Sequence, residues 1–321
     1  MRLVVTGGAG FIGSNFVRWV LRTQPDVAVT TFDALTYAGN LASLADVADD
    51  PRHTFVQGDV RDAAAVARAV DGADAVVHFA AESHVDRSID APDAFLSTNV
   101  TGAGLVFEAC RRAGVERVLH VSTDEVYGPI TTGAFAEADR LQPSSPYAAS
   151  KAGADLLAQA YTTTYDFPIL VTRTTNNFGA YQHPEKLIPR FVTNLLNGED
   201  LPVYGDGAQI RDWTAVDDNV RAHWLVLTEG EPGTVYNIGA GNERTSLDIA
   251  HAIVAALDAD PDRITHVTDR PGHDRRYAVD TARIRALGWR PERTFDDALA
   301  DTIAWYRDNE AWWRPLRDVS G

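Results

Sequence analysis

The chain has 321 residues and 45% hydrophobic content, which allows a packed globular protein with room for two lobes. Its 45 acids oppose 29 bases for a formal charge of −16, so nucleic acid and anionic membranes are poor partners. No run of about 18 apolar residues is present to cross a bilayer. The single cysteine, Cys110, excludes an internal disulfide and suits a reducing cytoplasm.

The chain enters a strand at once, "MRLVVTGG", without a signal-peptide pattern. Apolar runs at 3–6, 27–32, 54–57, 75–79, 118–121 and 169–172 read as strands. Amphipathic stretches near 12–22, 62–70, 94–113 and 147–164 read as helices between them. This βαβα order predicts an α/β fold, a Rossmann-type doubly wound parallel sheet. After about residue 175 the pattern is broken by Pro184, Pro189, Pro202 and "YGDG" at 204–207, with helices returning near 218–229, 246–257 and 296–308. The division expected is 1–175 for a dinucleotide-binding domain carrying catalytic residues. Residues 176–321 would form mainly a smaller α/β substrate lobe, with some elements exchanged between the two.

The bases are almost all arginine; Lys151 and Lys186 are the two lysines. With Asp dominating the acids, this composition points to a salt-adapted or GC-rich source. It also asks what the two remaining lysines do.

"VVTGGAGFIGS" (4–14) sets Gly8, Gly10 and Gly13 between a strand and a helix. Glycines there allow a tight turn and close backbone approach to a pyrophosphate, which the helix N-terminus attracts. Asp33 ends the next strand, 20 residues after Gly13, where a carboxylate accepts from ribose hydroxyls and repels a 2′-phosphate. No Arg follows directly, so NAD is favoured over NADP. In "GDVRD" (58–62), Asp59 is placed to receive an adenine amino group and Val60 to pack on the ring, whereas Asp62 reads as a helix cap. The small Ala80 and Ala81 after the fourth strand permit backbone to approach a cofactor.

"STDEVYG" (122–128) closes the fifth strand with Thr123, Asp124 and Glu125. Adjacent carboxylates repel and are costly to bury. They belong at the mouth of a site, at the C-terminal edge of the sheet, where the chain leaves strand geometry. "SPYAASK" (145–151) sets Tyr147 and Lys151 four apart, on one helix face. A neighbouring ammonium and a positive nicotinamide favour the phenolate, making Tyr147 a base for a hydroxyl proton.

With these stretches, and with "LTYAGN" (35–40), "AAESHVDRSI" (80–89), "NNFGAYQHPEKLIP" (176–189), "YGDGAQIRDW" (204–213) and "DRPGHDRRYAVD" (269–280), the chain resembles the extended short-chain dehydrogenase/reductase superfamily. Within it the resemblance is to the NAD-dependent dTDP-glucose 4,6-dehydratase family. Departures are Phe178 where Tyr is usual, Ala180 where Pro is usual, and a short segment before residue 120.

The resemblance implies that Tyr147 takes the C4 hydroxyl proton as hydride passes to NAD, with Thr123 bonded to the C4 oxygen and Lys151 on the nicotinamide ribose. Glu125 then removes the C5 proton and a protonated Asp124 protonates the C6 hydroxyl as water leaves. Hydride returns to C6, giving a 4-keto-6-deoxy sugar nucleotide for deoxysugar assembly, rhamnose among the candidates. Implied cofactor contacts are Gly7, Gly10, Phe11, Ile12, Gly13, Asp33, Ala34, Leu35, Thr36, Asp59, Val60, Ala80, Ala81, Ser83, Thr98, Tyr147, Lys151 and Asn177. Implied substrate contacts are Ser83, Thr123, Asn176, Lys186, Leu187, Pro202, Val203, Tyr204, Arg211, Asn242 and the run Asp269, Arg270, Pro271, Gly272, His273. Arg211 and Arg270 are the best cations for the diphosphate, although Arg211 could instead pair with Asp206 or Asp212, and Lys186 with Glu185. No metal is expected, and a homodimer is implied.

Two other readings stay open on residues alone. A 4-epimerase, a decarboxylase or a UDP-glucose dehydratase would share the glycine loop, Tyr147 and Lys151, but epimerisation does not need an acid and a base at 124 and 125. A silent NAD-binding sensor would have no chemical need for any of the five.

Overall fold

The computed structural model describes residues 1–318. Its first half alternates as predicted: β1 (Arg2–Thr6), α1 (Phe11–Thr23), β2 (Ala28–Asp33), β3 (His53–Gln57), α2 (Ala63–Val70) and β4 (Ala75–His78). The Asp62 carboxylate accepts from the Ala64 and Ala65 amides at 2.9 and 3.1 Å, so it is the cap of α2.

The single helix expected over 94–113 is interrupted. Short helices α3 (Val85–Asp90) and α4 (Pro92–Phe95) lead into a π-helical turn, Leu96–Gly102, and only then α5 (Ala103–Ala113). The widened turn goes with two polar side chains that the cleft side of this layer uses. Thr98 reaches the cleft wall. Asn99 is 1% exposed and bonds the Glu82 amide at 2.8 Å, the Glu82 carbonyl at 2.9 Å and Ser150 Oγ at 2.8 Å.

β5 (Arg117–Thr123) runs directly into a 3₁₀ turn, Asp124–Tyr127; α6 (Pro146–Tyr165) and β6 (Ile169–Thr174) follow. Ser145 caps α6 by accepting from the Ala148 amide at 3.1 Å, with Pro146 at the first helical position.

The second half contains β7 (Asn176–Phe178), α7 (Leu187–Leu196), β8 (Leu201–Tyr204), β9 (Ile210–Ala215), α8 (Val216–Glu229), β10 (Val235–Ile238) and β11 (Glu243–Thr245). It ends with α9 (Ser246–Ala256), β12 (Ile264–Val267), α10 (Ala282–Ala286), α11 (Phe295–Asp308) and α12 (Glu310–Asp318). The main sheet has seven parallel strands ordered β10-β6-β5-β4-β1-β2-β3. Strand order reverses between β1 and β4, and the crevice at such a reversal is where doubly wound sheets take their ligands.

β10 completes this sheet, and α8 packs on it through Val216, Val220, Val226 and Leu227 in the same core as Val5, Phe16 and Val77. Ile284 of α10 and Trp289 join that first core too, whereas most of the remaining second half has its own, including Phe178, Ile188, Phe191, Trp213, Ile253, Phe295 and Trp313, under small sheets β11-β9-β7 and β12-β8. No helix among the described residues is long and apolar enough to cross a membrane.

Candidate active site

A cavity of about 310 Å³ lies at the C-terminal ends of the parallel strands. Its floor is the glycine loop. Gly7 has φ +70, and a Cβ there would stand 2.5 Å from the Ala80 amide nitrogen; a Cβ on Gly13 would stand 2.2 Å from the Gly7 carbonyl oxygen. No side chain caps the start of α1, and its first turn holds no acid, so the amides of Phe11 and Ile12 are offered to a ligand. This geometry fits a dinucleotide pyrophosphate. Asp33, 7% exposed, borders the cavity and ties the loop to β2, accepting from the Ala9 amide at 2.9 Å and the Leu35 amide at 2.8 Å. It is thus a turn residue as well as a carboxylate at the ribose position.

Thr123, Asp124, Glu125, Tyr147 and Lys151 line this same cavity with the glycine loop, as do Ser83, Thr98, Asn176, Asn177 and Lys186. The strand breaks into its 3₁₀ turn at the acid pair, which lets adjacent side chains share one cleft instead of alternating across the sheet. Thr123, and neither acid, caps the turn: its hydroxyl accepts from the Glu125 amide at 3.2 Å and donates to Asp124 Oδ1 at 3.3 Å. Asp124 Oδ2 is buried with no hydrogen-bond partner among the described residues. The Lys151 ammonium is 4% exposed and donates to the Val121 carbonyl at 2.7 Å.

Burial, then the charge of Glu125, pushes the Asp124 carboxyl up to about 8. Burial raises Glu125 too, but Arg211, Arg270 and Lys186 pull it back. Asp124 therefore holds a proton at neutrality, and Glu125 differs from it in having three cations that oppose its upward shift. The folded state binds more protons than the unfolded chain between 3.8 and about 8, so the stability linked to Asp124 is whole below that window and is lost as pH rises through it. Asp124→Asn cannot titrate. Its melting temperature relative to wild type is expected to climb from acid pH to about 8 and then level off; a difference independent of pH would show that Asp124 is not held protonated.

The protein's own groups favour the protonated phenol. Burial, then the negative charges of Glu125 and Asp124, raise Tyr147 well above its ordinary value, offset only in part by the Thr123 hydroxyl. Burial lowers Lys151 to about 8. The phenolate expected from the sequence therefore depends on the nicotinamide charge as well as on the ammonium, which spends one donor on a backbone carbonyl.

Other placements also differ from the sequence reading. Leu35 packs against the first core, and Leu187 and Val203 belong to the second. Asp59 is gripped by Arg61 at 2.6 Å, although both border the cavity. Pro202, Tyr204, Arg211, Asn242, Pro271 and Gly272 stand outside the cavity wall, with Asp269, Arg270 and His273, in the second lobe. There Arg270 pairs with Asp86 at 3.0 Å, Tyr204 donates to Asp86 at 3.2 Å and His273 bonds Asp269 at 2.7 Å. The Asn242 side chain donates to the Trp213 carbonyl at 3.3 Å.

Arg211 does not pair with either suspected acid: Asp206 is taken by Arg275, and Asp212 accepts the amides of Gly241 and Asn242. Arg211 donates instead to the carbonyls of Ile210 and Asp274, at 2.7 and 3.0 Å, and stacks on Tyr277 at 4.3 Å. Lys186 donates to the Ser83 carbonyl at 2.8 Å, while Glu185 pairs with Arg87 at 3.3 Å. No group of three or more His, Cys, Asp or Glu side chains placed to hold a metal occurs among the described residues.

The family model for GDP-mannose 4,6 dehydratase matches residues 4–302. A dTDP-glucose 4,6-dehydratase of Mycobacterium tuberculosis is 51% identical over 100% of this chain and 97% of its own. This chain belongs to the dTDP-glucose 4,6-dehydratase family. Low-salt glycan biosynthesis protein Agl12 of Haloferax volcanii is 53% identical over 95% of this chain and 98% of its own. The solved structure of DesIV, the dTDP-glucose 4,6-dehydratase of Streptomyces venezuelae, has NAD and dTDP bound. It superposes with a TM-score of 0.97 at 55% identity, covering 98% of this chain and 100% of that one.

The family site has walls that sequence reasoning missed. Tyr181, Gln182, His183 and Glu185 enter from the loop before α7, and Trp312 and Leu316 from α12. "AYQHPEK" was read for Ala180, Glu185 and Lys186 and not for Tyr181 or Gln182, and the first tryptophan of "WWRPL", Trp312, has the look of an ordinary core residue like its neighbour Trp313. Arrival at the cleft depends on how the lobes close, which carries no local sequence signal.

Proposed function

We propose that this chain catalyses NAD-dependent dehydration of dTDP-glucose to dTDP-4-keto-6-deoxyglucose. The observation that carries the reading is the buried Asp124–Glu125 pair, placed in one cleft with Tyr147, Lys151 and a dinucleotide loop, with Asp124 pushed up to about 8. Gly7, Gly10, Phe11, Ile12 and Gly13 would hold the pyrophosphate, Asp33 a ribose, and Lys151 with Asn177 the nicotinamide side. NAD in that position supplies a reversible hydride acceptor. Tyr147 removes the C4 hydroxyl proton, with Thr123 orienting the C4 oxygen. Glu125 takes the C5 proton, whose bonding electrons form the C5–C6 double bond, and Asp124 gives its proton to the departing C6 hydroxyl, so water leaves with the electrons of the C6–O bond. Positioned groups of this type each contribute about 10²–10⁴-fold.

Lys186, Arg211 and Arg270 would meet the diphosphate of the substrate. Arg211 is the strongest of these, since its guanidinium is oriented by carbonyls and an aromatic face and spent on no carboxylate. Arg211→Lys loses the forked geometry, so KM for the nucleotide sugar is expected to rise about tenfold with kcat retained, measured by steady-state kinetics. The division of labour follows the two cores: the parallel sheet carries cofactor and catalytic groups, and the second lobe the nucleotide.

The enzyme is further proposed to act in the cytoplasm as a homodimer. Cys110 is a buried free thiol, and Leu96 and Leu156, 52% and 55% exposed, come from the neighbouring helical layer around α4 and α6. Mass spectrometry tests the reaction: dTDP-glucose should lose one water. An isomer of unchanged mass would mean epimerisation, and tightly held NAD without turnover would mean a sensor.

A further inference from the structure

Trp312 and Leu316 stand one turn apart on α12, on the face that borders the cofactor cleft. The adjacent Trp313 points the other way. It is 1% exposed in the second core and donates to the Tyr306 carbonyl at 2.7 Å. α12 thus separates a hydrophobic core from the cleft wall.

Trp312 is fixed from both lobes. Its indole N–H donates to Ser43 Oγ at 3.2 Å, in the 3₁₀ turn Leu41–Val47 that follows β2. Its ring meets Trp305 of α11 at 5.1 Å and Tyr181 at 5.6 Å, both edge to face. Tyr181 also lines the cleft and sits at φ 67, a conformation an aromatic residue keeps only when its surroundings hold it there. Here they do: Arg18 of α1 stacks on its ring at 4.2 Å while pairing with Asp46 at 2.8 Å, and Asn15 of α1 bonds the Ala180 carbonyl at 3.0 Å. The far end of α12 is tied down by an Arg317–Glu199 ion pair.

We propose that α12 is part of the cofactor site, with Trp312 and Leu316 closing the cleft so that bound NAD is retained from one turnover to the next. This rests on the cofactor assignment above. A cycle that takes hydride from the sugar and returns it leaves the cofactor as it began, so a cleft that resists NAD exchange does not slow turnover. The clip couples three parts of the chain: the glycine-loop helix, the turn after β2, and the C-terminal helix.

The test reads cofactor release and not activity. Hydrogen exchange of wild-type protein freed of nucleotide is compared with the same protein saturated with NADH; amides of 312–317 should slow on binding. Trp312→Ala should speed NADH release about tenfold or more, and Ser43→Ala by less, since it removes only the hydrogen bond. Unchanged exchange in α12, or a folded Trp312→Ala that releases NADH at the wild-type rate, overturns the proposal. Should Trp312→Ala not fold, Leu316→Ala and the wild-type exchange decide it. Failure of the wild type to bind NADH at all would instead overturn the cofactor assignment, and this proposal with it.

Discussion

Glu125→Gln is expected to stop the reaction half-way. The variant should oxidise the sugar at C4, seen as the near-ultraviolet absorbance of reduced nicotinamide, and form almost no dehydrated product. The amide keeps the shape of the side chain but cannot accept the C5 proton, so elimination should fall by about 10²–10⁴-fold. A second effect separates this from general damage. The charge of Glu125 helps hold protons on both Asp124 and Tyr147. Removing it lowers both, so C4 oxidation in the variant should begin at lower pH than in wild type. Stopped-flow spectroscopy with product analysis reads both results. Dehydration at the wild-type rate would show that Glu125 is not the base.

The first half of the fold was legible because parallel βαβ units write themselves locally: an apolar run, a cap such as Asp62, an amphipathic helix, then the next run. The acid pair was legible for a similar reason, since two carboxylates closing a core strand make sense only at an edge. What escaped had no local pattern. The strands Asn176–Phe178 and Glu243–Thr245 are three residues each, too short for a periodicity, and are strands only because they flank Ile210–Ala215. Val235–Ile238 gives no sign that it leaves the second half to complete the first sheet. The π turn at Leu96–Gly102 is invisible to helical periodicity. The Tyr147–Lys151 spacing is written in the sequence, whereas the burial and negative charge that raise the phenol come from the packed cleft.

Tyr147→Phe is expected to fail one step earlier than Glu125→Gln, with no reduced nicotinamide at all. Loss of the phenol removes the group that takes the C4 proton, a fall of about 10²–10⁴-fold in the oxidation step. Substrate affinity by calorimetry should change little, because the contacts proposed for the diphosphate lie on the second lobe. The two variants therefore differ in sign at one wavelength: one accumulates the reduced cofactor and the other never forms it. The structure adds a pH limb to the wild-type enzyme. In the proposed roles Asp124 must keep its proton to release water, and Lys151 must keep its charge to support a developing phenolate; burial moves both to about 8. Asp124, raised by burial, loses a proton it must donate as pH climbs through that value, and Lys151, lowered by burial, loses a charge it must present. The two losses act in the same direction, so turnover should fall as pH passes about 8, even though deprotonation of the phenol alone would make it rise. A turnover that kept increasing beyond that point would mean the phenol acts without its ammonium neighbour and that water leaves without the carboxylic acid, leaving Asp124 and Lys151 with no part in the proton transfers.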